Sequence, residues 1–187
     1  AHDTQTQPVS GRDQDGAWVA ASMNYLADLS VAPVTYNPPQ GTGVPKRVGN
    51  YQNFTVRIHD ARPIAKDLPV DRQGWALTRH DTKVVNFYDD AEVRRVYYPE
   101  MDALIKRETG ATKVVVFDHT LRHADKPVER NLRAPVQNVH NDYTEKSGPQ
   151  RVRELLGEEA AVPFLNKRFA EYNVWRPIEG KVKSWPL

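Results

Sequence analysis

Cysteine is absent from the 187 residues. That excludes disulfides, thiolate metal sites and a cysteine nucleophile, and it agrees with a reducing, cytoplasmic setting. No apolar run reaches the roughly 20 residues that cross a bilayer. The opening AHDTQTQPVSGRDQDG lacks the charged-then-apolar layout of a secretion signal, so neither membrane attachment nor export is expected. Neither sign of charge dominates: 26 Lys and Arg against 24 Asp and Glu leave +2, with no basic stripe of the kind that binds nucleic acid. Internal repeats and low-complexity segments are missing. So are Gly-x-Ser-x-Gly, a glycine-rich phosphate loop and His-Glu-x-x-His, which removes the patterns of serine hydrolases, nucleotide binders and zinc peptidases.

What is present describes one globular domain, with 39% hydrophobic and 27% charged residues. Residues 1–16 read as a polar arm and 17–29, AWVAASMNYLADL, as a short helix. The Pro- and Gly-rich APVTYNPPQGTGVPKRVGN that follows is expected to be a strap without regular structure, which makes 1–50 an N-terminal arm and strap. From 51 onward NFTVRIHDARP alternates apolar and polar residues as a half-buried strand does, and GWALTRHDTKVVNFY suggests two more strands. Asp89-Asp90 caps a helical stretch whose Val93, Val96, Tyr97, Met101, Leu104 and Ile105 share a face. Pro99 inside it predicts a kink or two consecutive helices, and Gly110 ends it. TKVVVFDHTLR predicts a strand buried on both faces, and APVQNVHNDYT another. Ser147 and Gln150 have the spacing of a capping box, a second helix is expected over 159–170, and YNVWRPI returns to strand. The sum is an α+β domain, strands with inserted helices.

The chemistry-bearing pattern is His-x-Asp. Residues i and i+2 of a strand point to one side, so both side chains reach one ion. Two histidines and one carboxylate on one face are the ligand set of non-haem Fe(II) oxygenases. The pattern occurs twice, as His123-Ala124-Asp125 in polar, loop-like sequence and as His140-Asn141-Asp142 at the end of an alternating stretch. A bare three-residue pattern arises readily by chance. His119, at the end of the apolar run, is either a third ligand or a hydrogen-bonded polar residue at a strand end. With Arg122 it also suits contact with substrate, since a guanidinium grips a carboxylate with two parallel bonds. Tyr143 serves packing or substrate equally well, and alternation places Asn173 and Trp175 on one face with Arg176 on the other.

YYPEMDALIKRETGATKVVVFDHTLR, VQNVHNDYTEKSGPQRVRELL and RFAEYNVWRPIEGKV, with ASMNYLADLSVAPVTYNPP and LPVDRQGWALTRHDTKVVNFYDDAEVRRVYYPE before them, resemble the AsaB/CmcJ-like hydroxylase/desaturase family of bacterial and fungal oxygenases. The resemblance spans roughly 20–187. It implies a double-stranded β-helix (jelly-roll, cupin-like) over 51–187 and dependence on Fe(II) and 2-oxoglutarate. It also implies oxidation by O2 of a small organic substrate, by hydroxylation or desaturation. On that basis His140 and Asp142 are metal ligands, Asn173, Trp175 and Arg176 contact the co-substrate, and His119, Arg122 and Tyr143 face the substrate. No histidine follows position 140. The family carries its second histidine and the 2-oxoglutarate arginine further on, so the chain is expected to lack the C-terminal part of the barrel. Unpaired strand edges would then favour a homodimer. A rival expectation is a non-catalytic jelly-roll module that binds a small molecule or partner.

Overall fold

The computed structural model describes residues 9–28, 30, 32–36, 46–123, 132–136, 138–180 and 182. They fall into two units, one drawn from 1–68 and 136–140 and the other from 69–135 and 141–187.

In the first unit the stretch expected to be a helix is a strand. β1 (Ser10–Asp13), β2 (Gly16–Leu26) and β5 (Tyr51–His59) form an antiparallel sheet in the order β1-β2-β5. AWVAAS contains nothing that forbids a helix. Strand wins because β2 is paired on both sides, with β1 from Ser10↔Val19 to Asp13↔Gly16 and with β5 from Trp18↔His59 to Leu26↔Tyr51. The turn signal is DQDG. The Asp13 carboxylate accepts from the Asp15 N–H at 3.0 Å, and Gly16 takes a φ of 111°, open to glycine at no steric cost. The polar arm is therefore part of a hairpin from residue 10, while 1–8 lie outside the described residues.

Cross-strand rings stiffen the sheet. Arg57 lies 4.7 Å over the Trp18 ring, and Tyr25 meets Phe54 edge-on at 5.8 Å. Gly11 sits opposite Trp18, where an added Cβ would come within 2.7 Å of the indole, so the ring occupies the space a side chain would take. The Pro- and Gly-rich strap also holds regular structure: β3 (Val34–Tyr36) and β4 (Lys46–Val48) pair antiparallel.

The second unit carries helices and no strand among its described residues. Arg62–Asp67, in the first unit, is a 3-10 turn, and α1 (Val70–Gln73) opens the second. Residues 74–88, expected as two strands, form neither strand nor helix. Their N–H groups find helix side chains instead: Lys83 bonds Glu100 at 2.8 Å, and Val85 and Asn86 bond the two oxygens of Glu92 at 2.9 and 3.0 Å. That satisfies the backbone without a sheet.

Asp89 caps the next helix as expected, its carboxylate accepting from the N–H groups of Ala91 and Glu92. α2 (Asp90–Glu92) runs into a π turn at Val93–Tyr97 and then α3 (Tyr98–Thr109), which starts with Pro99 in its first turn and ends on Gly110 at φ 70°. The wide turn, closed by the Tyr98 N–H on the Val93 carbonyl, falls just before Pro99, which has no N–H to give. Val93, Met101 and Leu104 are buried, together with Leu132 and Ala161, and these five form the buried apolar set among the described residues.

α4 (Ser147–Leu156) and α5 (Glu158–Leu165) follow. The reciprocal cap falls three residues earlier than Ser147 and Gln150 suggest. Thr144 Oγ1 accepts from the Ser147 N–H at 3.1 Å while Ser147 Oγ accepts from the Thr144 N–H at 2.9 Å, and Gln150 turns to Glu154. The second helix stops at Leu165, short of 170. VVVF at 114–117 and YNVWRPI at 172–178 are not strands, and Val115 is 40% exposed rather than buried on both faces. Among the described residues, APVQNVHNDYT is reduced to a single isolated bridge, at Asn138.

Candidate metal centre

In the first unit the segment 136–140 is registered against β2. Asn138 makes a parallel bridge to Asn24, the Val139 N–H donates to the Asn24 carbonyl at 2.9 Å, and the Asn24 amide donates to Asn138 Oδ1 at 2.5 Å. Two residues on, His140 is exposed, and its Nδ1 stands 2.7 Å from the Asn138 carbonyl. A carbonyl only accepts, so Nδ1 carries the proton and the lone pair of the neutral ring lies on Nε2. Metal-ligating histidines are commonly held in this way, with one ring N–H on a backbone carbonyl.

In the second unit Asp142 and Tyr143 face the segment 171–173. The Asn173 amide donates to Asp142 Oδ2 at 2.6 Å. The Tyr143 hydroxyl bonds both Glu171 and Arg151; burial, then the Glu171 charge, push its pKa up. Glu171 is itself pushed up, first by burial and then by the neighbouring Asp142 charge, with Tyr143 acting against them. Arg151 ties the group down, lying 4.7 Å over the Phe117 ring and donating to Glu154 at 3.0 Å.

The other expected site residues go elsewhere. His119 is bracketed, with the Tyr98 hydroxyl 3.0 Å from Nδ1 and Asp90 3.4 Å from Nε2, so both ring nitrogens face protein groups. Arg122 lies 5.8 Å over the Trp175 ring and donates to the Ala134 carbonyl at 2.8 Å. Trp175 is 50% exposed. Arg176 stands over Phe87 and Tyr97 at 5.5 and 5.7 Å and donates to the His80 carbonyl at 3.3 Å. Its Nε is buried without a hydrogen-bond partner, a cost the two ring faces offset in part. Of the residues expected at the co-substrate, Asn173 meets Asp142, while Trp175 and Arg176 meet aromatic and cationic partners of the same unit. Asp125, from the alternative His-x-Asp, lies outside the described residues.

Asn24 and Asn138 in the first unit, and Arg151 and Glu171 in the second, make these contacts and carry no local signal of them. The one hint in the sequence is that Glu171-x-Asn173 answers the adjacent pair Asp142-Tyr143, acid to phenol and amide to acid. Elsewhere in the first unit, Asp13, Asp15 and His59 bring ligand atoms within 4.8 Å of one another. There His59 Nε2 and the Arg57 guanidinium already lie against the Asp13 carboxylate, at 3.3 and 3.4 Å.

Residues 23–187 match the family model described as oxidoreductase/YMDC permease-like domain. No helix among the described residues is long and apolar enough to cross a membrane. The Fe(II)/2-oxoglutarate-dependent dioxygenase nvfI of Aspergillus novofumigatus is 33% identical over 144 residues, covering 74% of this chain and 51% of the relative. The hydroxylase/desaturase CTB9 of Cercospora beticola is 33% identical over 150 residues, 73% of this chain and 46% of the relative. Among solved structures, the iron and alpha-ketoglutarate-dependent endoperoxidase NvfI superposes with a TM-score of 0.62 at 26% identity, over 80% of this chain and 55% of that one. The class so defined is an oxidoreductase domain of antiparallel sheet and helices. The chain belongs to the family of these fungal Fe(II)/2-oxoglutarate-dependent dioxygenases and hydroxylase/desaturases. It spans about half the length of the curated relatives it matches.

Proposed function

We propose that the chain is part of a non-haem Fe(II)/2-oxoglutarate oxygenase of jelly-roll fold that hydroxylates or desaturates a small organic molecule. His140 and Asp142 supply two of the metal's ligands. The carrying observation is the hydrogen bond from His140 Nδ1 to the Asn138 carbonyl, which orients the ring and puts the lone pair on Nε2, one of the two ring nitrogens that ligate metals. An imidazole nitrogen and a carboxylate oxygen two positions apart suit ferrous ion, which accepts both donor types. When bound, Fe(II) with 2-oxoglutarate and O2 supplies oxidation of an unactivated C–H bond coupled to loss of carbon dioxide.

The chain's own residues hold and orient. Asn138 fixes the imidazole, and Asn173 contacts the carboxylate. The Arg122–Trp175 pair offers a cation beside a half-exposed ring, which suits an organic acid as co-substrate or substrate, with Tyr143 and His119 on the same unit. The names of the relatives favour an enzyme over a binding module. A cytoplasmic location is supported by the lack of cysteine. The outer edges of the β1-β2-β5 sheet support self-association as a homodimer.

Anaerobic Fe(II) titration tests the ligand pair. His140→Ala and Asp142→Ala should each lose tight binding while circular dichroism stays that of the parent. Unchanged affinity in either variant would remove that residue from the metal.

A further inference from the structure

Asn173 belongs to no strand or helix, yet its neighbours in the chain are held on both sides. Glu171 is bonded to the Tyr143 hydroxyl, the Trp175 ring lies against the Arg122 guanidinium at 5.8 Å, and Arg176 is anchored to the His80 carbonyl at 3.3 Å and to two aromatic rings. Between those fixed points the Asn173 side chain reaches Asp142 Oδ2 at 2.6 Å, a short amide-to-carboxylate bond. A carboxylate accepts only, so the nitrogen of the amide, not its oxygen, faces Asp142. Both residues are exposed, and a polar pair in that position contributes little to folding. Its value lies in geometry. A donor fixed on Oδ2 sets the plane of the carboxylate.

We infer that Asn173 is a positioning residue for the Asp142 carboxylate, acting on the metal through it, and not a contact for the co-substrate. The sequence supports the same division: Tyr143–Glu171 and Asp142–Asn173 are two successive clasps between the same two segments, the first fixing their separation and the second the orientation of the acid. This rests on the reading of Asp142 as a ligand, so the experiment separates the two claims.

Fe(II) affinity is measured anaerobically, and the visible absorption bands of bound Co(II) report the ligand geometry, in the full chain and in Asn173→Leu, Asn173→Ser and Asp142→Ala. Leu keeps the shape of Asn without a donor; Ser keeps a shorter donor. Asn173→Leu is expected to weaken Fe(II) binding by about 10- to 100-fold and to shift the Co(II) bands, with an unchanged melting curve and partial recovery in Asn173→Ser. If Asp142→Ala abolishes binding but Asn173→Leu binds as the parent does with the same Co(II) bands, the positioning role is overturned and the ligand reading stands. If Asp142→Ala leaves affinity unchanged, or the parent binds neither ion, both fall. Should Asn173→Leu lose its fold, Asn173→Ala carries the same expectation.

Discussion

Glu100 is the acid of α3 whose surroundings are most fully specified. Its side chain is only 16% exposed; it accepts from Thr82 Oγ1 at 2.5 Å and from the Lys83 N–H at 2.8 Å, with His80 4.0 Å away. Burial acts to raise its pKa, but these hydrogen bonds and the His80 and Arg176 charges outweigh burial and hold it below the ordinary 4.5. A carboxyl depressed in the folded state stabilises above its unfolded value, and that stability is lost as pH falls through the folded value. Glu100→Gln should therefore lower the urea midpoint at pH 7, and the two proteins should converge as pH drops below 4.5. A gap that stays constant down to strong acid would show that Glu100 acts by packing alone. At this scale the sequence was most legible where one residue makes a local bond. Asp89 caps and Gly110 terminates as their types require. It was least legible where partners are distant: no spacing rule leads from Asn138 to Asn24, or from Asp142 to Asn173.

Among elements, the continuous helical stretch from Asp90 to Thr109 organises the second unit, and its apolar stripe was readable because i, i+3 and i+4 positions share a face. Leu104 is 4% exposed, and Leu104→Ala should destabilise by about 2–5 kcal/mol in chemical denaturation. Ile105, its less buried neighbour, should cost less when truncated, and the reverse order would mean that the stripe is misplaced. Strands were read less well, for a physical reason. Alternation and apolar runs record burial, whereas a strand exists only where another offers its backbone. AWVAAS gained two such partners and became β2, while VVVF has none among the described residues and remains irregular.

For the whole molecule, family membership came from dispersed motifs, among which the three residues of His-x-Asp count for little alone. The family model covers 23–187, nearly the span over which those motifs are spread. The jelly roll itself was expected from the resemblance and not from any strand count, and the described residues hold five strands, all in the first unit. A bound ion stabilises a folded state in proportion to its affinity, about 2.7 kcal/mol at a hundred times the dissociation constant. Adding Fe(II) without oxygen should accordingly raise the melting temperature of the parent chain but not that of His140→Ala. Equal rises in both would point to adventitious binding, for which Asp13, Asp15 and His59 are the natural suspects.

The clasp between Asn24 and Asn138 spans 114 positions of chain. Because side chains alternate along a strand, inserting or deleting a single residue between Trp18 and Asn24 would turn that amide to the opposite face. The imidazole would lose its alignment though nothing near it had changed. A change of length in the first hairpin would thus be felt at the segment that carries His140, more than a hundred positions further along the chain.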